Sequence, residues 1–436
     1  MTAPAGAPPP DDPVLSEALA WYAHARAVFS GGNEVQLLRG GDALFPAMIE
    51  SIGHATHEVW LATYIYGDDV AAQAVSAALV AAARRGVRVR VVVDGFGSLH
   101  ALAALRERLE PAGVALAVFR PTQRWWNWLQ PGQLRRLHQK LCVVDGQVGF
   151  VGGINVLDDR HDLNHGWGDT PRLDYAVRVQ GAVVGPVEQT ARAMWTRAAF
   201  GRDWRDEVRQ IARSSQPMAR ARRLCDACAS RCGAARQEAS RRCAAAGAGR
   251  FVVRDNLSQR RSIERSYIDA LRRAQQRIDI VSAYFYPGFE FRRALLAAAR
   301  RGVRVRLLLQ GKADYRFAAL AAQALYDELL AHGVAVFEYT PAFLHAKVAL
   351  VDQRWATVGS SNIDPLSLLV NLEANVIVDD RGFAATLSRE LDRDFAVSRE
   401  ITAPVPVAGW RRWLRRGFVA WVARLYLRAA GAGGRY

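Results

Sequence analysis

Two histidines sit in matching surroundings. His138, Lys140 and Asp145 are followed by Gly152, Gly153 and Asn155, while His345, Lys347 and Asp352 are followed by Gly359, Ser360 and Asn362. Both copies fit one pattern without a gap, His-x-Lys-x4-Asp-x6-Gly-[Gly/Ser]-x-Asn. A His and a Lys two apart point to the same face of an extended strand. The small pair after the aspartate is expected to let backbone approach a ligand, with the Asn as a donor beside it. These residue types suit phosphodiester chemistry. A phosphoryl group in transit spreads negative charge over its oxygens, and two lysines and two asparagines supply donors for it. One neutral imidazole can attack phosphorus while the other protonates the leaving alkoxide. The near-symmetric copies leave open which histidine attacks; His138 as nucleophile and His345 as acid is the preferred order. A carboxylate often orients such an imidazole through its second nitrogen, and Asp174 and Glu373 stand at matching places after the motifs. Nothing in this scheme requires a metal or a cofactor.

The elements that must carry these residues also occur twice. LVAAARRGVRVRVVVDG at 79–95 and LLAAARRGVRVRLLLQG at 295–311 place Gly302 216 residues after Gly86. Each reads as the end of a helix, a glycine cap and a strand. The preceding strand recurs as WLATYIY at 60–66 and IVSAYFY at 280–286. A period this long means duplicated domains, and alternating strands and helices predict an α/β class with a sheet in each. The expected division is a tail and short helix at 1–32, a first domain at 33–200 and an Arg-, Ala- and Cys-containing linker at 201–250. A second domain at 251–400 and a basic, aromatic tail at 401–436 follow.

The two blocks resemble the motifs of the phospholipase D superfamily. The stretch HAKVALVDQRWATVGSSNIDPLSLLVNLEANV at 345–376, with AYFYPG at 283–288 and RDN at 254–256, is similar to the bacterial cardiolipin synthases of the shorter, B type. The resemblance covers roughly 33–400. It implies two phospholipase D-like domains sharing one active site at a pseudo-two-fold interface, a covalent phosphohistidine and no metal. It further implies transfer of a phosphatidyl group to the hydroxyl of another phospholipid. By the same resemblance His138, Lys140, Asp145, His345, Lys347 and Asp352 form the catalytic set. Asn155, Asn362 and both lysines bind phosphate, while Asp145 and Asp352 contribute mainly to structure. A phosphodiesterase acting on lipid headgroups or nucleic acid would use the same residues.

Composition supports a lipid partner. The net charge of +16 over 436 residues favours an anionic surface or a nucleic acid. On a helical wheel Trp410, Trp413, Leu414, Phe418, Trp421 and Leu425 share one face, with Arg412, Arg415 and Arg416 opposite, as in an interfacial helix. Trp125, Trp126 and Trp128 could form a lip before the first motif. The expected partners are therefore anionic phospholipids and a membrane surface, not nucleic acid. No apolar run is long enough to span, and the N-terminus lacks the signal-peptide pattern. The five cysteines are too sparse and odd in number for a disulfide framework. A peripheral protein on the cytoplasmic face of the inner membrane is expected. Cys225, Cys228, Cys232 and Cys243 could hold zinc, but three of them share a helical spacing that suits packing.

Overall fold

A computed structural model describes residues 29–121, 135–163, 165–200, 248–254, 261–312, 316–364, 367–368 and 371–402. Trp125, Trp126, Trp128, the four clustered cysteines and the aromatic tail lie outside the described residues.

The first half runs β1 (Glu34–Arg39), α1 (Gly40–Gly53), β2 (Glu58–Thr63), α2 (Val70–Arg84), β3 (Arg88–Asp94), α3 (Leu102–Leu109) and β4 (Ala115–Phe119). It continues through β5 (Leu141–Val144), β6 (Val148–Gly152), a short hairpin of β7 (His161–Asp162) and β8 (Gly166–Trp167), β9 (Tyr175–Gln180) and α4 (Val184–Phe200). The second half runs β10 (Ala248–Arg254), α5 (Ser262–Arg273), β11 (Arg277–Ser282), α6 (Phe289–Arg300), β12 (Arg304–Gln310), α7 (Arg316–Ala331) and β13 (Ala335–Tyr339). It ends with β14 (Lys347–Val351), β15 (Trp355–Gly359), β16 (Glu373–Asp379), α8 (Arg381–Ala396) and β17 (Arg399–Ile401).

Seven strands of the first half form a sheet in the order β1-β9-β6-β5-β2-β3-β4. The second half repeats that order as β10-β16-β15-β14-β11-β12-β13 and adds β17 at the edge. Among the described strands of the two sheets, only β2–β3–β4 and β11–β12–β13 pair in parallel. The repeated glycines explain the matching crossovers. Gly86 and Gly302 sit at φ +90° and +87°, the left-handed position that ends a helix, directly before β3 and β12. Asp69 caps α2 by accepting from the Ala72 N–H at 3.0 Å, and Asp380 caps α8 through the Phe383 N–H at 2.8 Å.

The two sheets pack on each other. Trp60, Val143, Val151 and Val177 from the first join Val348, Val358 and Val376 from the second in one buried cluster, closed by Trp195 of α4 and Phe383 and Leu387 of α8. Separate clusters on the outer faces seat α1 and α2 in one half and α5, α6 and α7 in the other. The central strands are thus buried on both sides, which accounts for the nearly unbroken apolar runs in β5 and β14.

Candidate active site

His138 and His345 each lie two residues before a lysine and one after a leucine that crosses the interface. Leu137 bridges Leu372 in parallel, and Leu173 bridges Leu344. The His138 N–H donates to the Leu372 carbonyl at 3.0 Å, and the His345 N–H to the Leu173 carbonyl at 2.8 Å. Each bridge carries the following carboxylate to the histidine of the opposite half. His138 Nδ1 lies 2.9 and 3.0 Å from the two Glu373 oxygens. His345 Nδ1 lies 2.6 Å from Asp174 Oδ2. Asp174 and Glu373 are fully buried. The ring centroids of the two histidines are 6.5 Å apart. With both Nδ1 atoms held by carboxylates, both Nε2 atoms remain for chemistry.

Both lysines are buried beside the rings. Lys140 Nζ donates to the carbonyl of its own His138 at 2.7 Å, and Lys347 Nζ to that of His345. Burial pushes Lys140 down to about 7 and Lys347 down to about 8; Glu373 and Asp174 oppose the shift, and each ammonium has the other half's charges close by. Such a pair gains from an arriving phosphate anion. Burial lowers His138, with Glu373 pulling the other way. Burial also drives His345 well below the usual imidazole range, reinforced by Lys347 and Arg172. Burial raises Asp174 to about 7 against the pull of Lys347.

Asn155 and Asn362 are buried at the same level. Asn155 Oδ1 accepts from the Ile65 N–H at 3.2 Å, and Asn362 Oδ1 from the Tyr284 N–H at 3.4 Å. The turn after the adjacent strand therefore fixes each amide, leaving the NH2 end to donate.

Asp145 and Asp352 are not brought to this gap. Each sits at φ +51° in the turn at the far end of its motif strand. Asp145 accepts the Thr56, His57 and Glu58 N–H groups and the Thr56 hydroxyl at 2.8–2.9 Å. Burial opposes ionisation, but those bonds outweigh it and hold the Asp145 carboxyl below its ordinary range. Asp352 accepts the Gln275, Gln276 and Arg277 N–H groups at 2.8–3.0 Å. Both tie the β5–β6 and β14–β15 turns to the strand beside them. This placement sets both apart from the histidines and lysines of the catalytic set and agrees with the mainly structural part expected of them.

The small pair also differs from expectation. A Cβ at Gly152 would lie 2.5 Å from Ala176 Cα, one at Gly153 2.3 Å from Asp174 Oδ1, and one at Gly359 2.4 Å from the Ala374 carbonyl oxygen. These positions are small because a neighbouring strand and a buried carboxylate occupy the space. Ser360 instead donates to Glu373 Oε2 at 2.5 Å.

Three further residues border the gap. The Tyr64 ring centroid is 5.1 Å from that of His138, and Lys140 Nζ lies 5.6 Å from the same ring. Its recurrence as Tyr284 in the second half was a signal available in the sequence. Arg172 lies next to Leu173 and is held by the His161 carbonyl at 3.0 Å and Asp162 Oδ2 at 3.2 Å. Asn371 takes the corresponding place in the second half, so periodicity gave no hint of Arg172. Asp94 joins the rim to the site by accepting the Leu137 N–H at 2.9 Å.

A family model for the cardiolipin synthase, PLD-like domain matches residues 48–167 and 267–395, one copy on each half. The chain belongs to that family. It is 37% identical over 361 residues to cardiolipin synthase B of Escherichia coli (strain K12), spanning 83% of this chain and 80% of that protein. It is 33% identical over 377 residues to cardiolipin synthase A of Pseudomonas putida (strain GB-1), covering 85% of this chain and 70% of the relative. Among solved structures, phosphatidylserine synthase of Haemophilus influenzae Rd KW20 superposes with a TM-score of 0.61 at 12% identity, over 96% of this chain and 98% of the other. That likeness supports the two-sheet fold.

Proposed function

We propose that this chain is a cardiolipin synthase: it moves a phosphatidyl group from phosphatidylglycerol, or a similar phospholipid, to the hydroxyl of another phospholipid. The observation that carries the reading is the exchanged pair of imidazoles. Two histidines from two halves face one gap, each backed by the other half's carboxylate and flanked by a buried lysine. The family membership supports the lipid substrate.

In this reading His138 Nε2 attacks the donor phosphorus. An N–P bond forms, the bond to the leaving glycerol oxygen breaks, and His345 delivers a proton to that oxygen. Glu373 then faces the positive charge that grows on His138. Asp174, raised to about 7, lets the His345–Asp174 pair keep a proton near neutral pH, which suits the acid role. In the second step His345 takes the proton of the acceptor hydroxyl, whose oxygen attacks phosphorus as the N–P bond breaks. Lys140, Lys347 and the amides of Asn155 and Asn362 neutralise the phosphoryl oxygens throughout. Transfer in place of hydrolysis requires that a lipid alcohol reach the gap in preference to water.

Among the described residues no helix is long and apolar enough to cross a membrane. Together with the basic charge, this supports a peripheral protein; its sparse cysteines agree with the cytoplasmic face of the inner membrane. Purified protein mixed with phosphatidylglycerol vesicles should form cardiolipin, resolved by thin-layer chromatography. His138→Ala and His345→Ala should each cut the rate by at least about 10³-fold, as loss of a nucleophile or its proton carrier does. Full activity in either variant sinks the two-histidine mechanism. DNA cleavage without a lipid product would favour the nuclease reading.

A further inference from the structure

The first half holds a segment that the second lacks. Asn155 to Asp174 spans 19 residues, whereas Asn362 to Glu373 spans 11. The extra residues form the β7–β8 hairpin. Its base is fixed to the site wall: Asp69 Oδ2 accepts the Asp158 N–H at 2.9 Å, and Arg172 at the exit is held by His161 and Asp162. The His165 ring lies 5.0 Å from Phe343, two residues before His345. Among the hairpin's exposed residues are two large apolar side chains. Trp167 stacks one face on His161 at 4.9 Å yet is 62% exposed, and Leu163 is exposed beside it.

These are not scattered residues. Seven large hydrophobic side chains are exposed among the described residues, and six of them lie at the end of the sheets that carries the histidines. Leu163 and Trp167 lie on the hairpin. Val70 follows the end of β2, where Ala62 pairs with Leu141 next to Lys140. Phe96 and Leu99 follow β3, in a turn held by the same Asp94 that holds Leu137. Phe289, 59% exposed, follows β11, where Ser282 pairs with Lys347. The far ends of the motif strands β5 and β14, at Gln147 and Gln353, carry polar turns.

From this distribution we infer that the mouth of the site is a docking face for an anionic phospholipid bilayer, with the β7–β8 hairpin and the Phe289 turn as its apolar contacts on the two sides. The inference rests on the lipid reading above and adds where the bilayer meets the protein. Six exposed apolar side chains gathered at one end of the molecule, beside the site, point to a partner there. Its occupant is set by position and charge. A phospholipid that keeps its chains in the bilayer can present phosphorus to the two histidines only if the mouth lies at the headgroup level. An aromatic ring such as Trp167 prefers that depth. The net charge of +16 draws the protein to an anionic surface, and Lys312, exposed where the chain leaves β12, adds a cation at the rim. Of the acidic residues at this end, Asp42 and Asp68 are paired with Arg160 and Arg108, while Asp169 is exposed on the hairpin.

Hydrogen exchange on the full-length His138→Ala protein, with and without phosphatidylglycerol vesicles, reads the face without turnover. Vesicles should slow exchange in peptides spanning 95–100, 162–170 and 286–291 and leave the turns at 146–147 and 352–354 unchanged. The triple variant Leu163→Ser, Trp167→Ser, Phe289→Ser should bind the vesicles at least about tenfold more weakly, less than the loss of two buried apolar side chains would give. Val397→Ser, which removes the seventh exposed side chain, should bind as the parent does. Rim peptides that vesicles do not slow, including rim peptides already protected by the chain's own tail or a second copy, overturn the proposal. So does a triple variant that binds as the parent does. Because neither readout uses catalysis, absence of cardiolipin synthesis would count against the proposed function alone.

Discussion

In the first half Gly153 faces Asp174; in the second Ser360 faces Glu373. The aspartate carboxylate sits where a side chain at 153 would be, 2.3 Å from the position of its Cβ. The glutamate is one methylene longer and carries its carboxylate past residue 360, where the serine hydroxyl donates to it at 2.5 Å. The small residue and the acid are therefore matched sets, Gly with Asp and Ser with Glu, and each set orients the histidine of the other half. The duplicated halves kept one backbone plan and diverged in the residues that hold the imidazoles. The second divergence is the β7–β8 hairpin, which places Arg172 beside His345; among the described residues no arginine takes that place beside His138.

If the halves serve one gap, damage to either should cost about the same. After the histidines themselves, the largest effect should come from Lys140→Ala and Lys347→Ala. Each should lower kcat by roughly 10²–10³-fold, as removal of a preorganised donor to a charged transition state does. A strongly unequal pair would show that one half dominates phosphate binding. The same lysines set a pH limit. Their ammonium forms exist below their depressed values and vanish as pH rises, so kcat/KM should fall across the range from about 7 to about 8. A profile flat to pH 9 would contradict that environment.

The matched sets give a smaller and more discriminating effect. Gly153→Ser should drive the new side chain into Asp174 and cost about 10–10²-fold in kcat, in the range seen when a residue that orients a catalytic group is lost. Combining it with Asp174→Glu, which copies the second half's set, should recover part of that loss. A double variant worse than the single one would refute the matching. Least affected should be Asp145→Ala and Asp352→Ala. Each should lower the unfolding free energy by roughly 0.5–2 kcal/mol, because largely exposed turn N–H groups exchange a carboxylate acceptor for water. Thermal denaturation would measure this, with kcat per folded molecule nearly unchanged. A large fall in kcat without a fall in Tm would return both residues to the catalytic set.

Much of this plan was legible in the sequence. Repetition exposed the duplicated sheets, because Gly86 and Gly302 end helices at the same point of each copy. It also exposed the histidines, lysines and asparagines, since chance does not preserve such spacing twice. The place of Asp145 could have been read from strand geometry. Five residues at about 3.3 Å each put it some 16 Å along the strand from Lys140. The exchange of Asp174 and Glu373 was not legible, because it depends on the Leu137–Leu372 and Leu173–Leu344 bridges between halves. The hairpin left a trace only in unequal spacing after the two asparagines, and a motif comparison that ends at Asn does not reach it.

The claim that both halves build one site is tested most directly by counting covalent adducts. Wild-type protein would be quenched during turnover of a phosphatidylglycerol donor and mapped by mass spectrometry. One phosphatidyl group per chain, carried on His138 and absent from the His138→Ala protein, is the predicted result. Adducts on both histidines of one chain, or steady cardiolipin formation with no adduct on either, would contradict it.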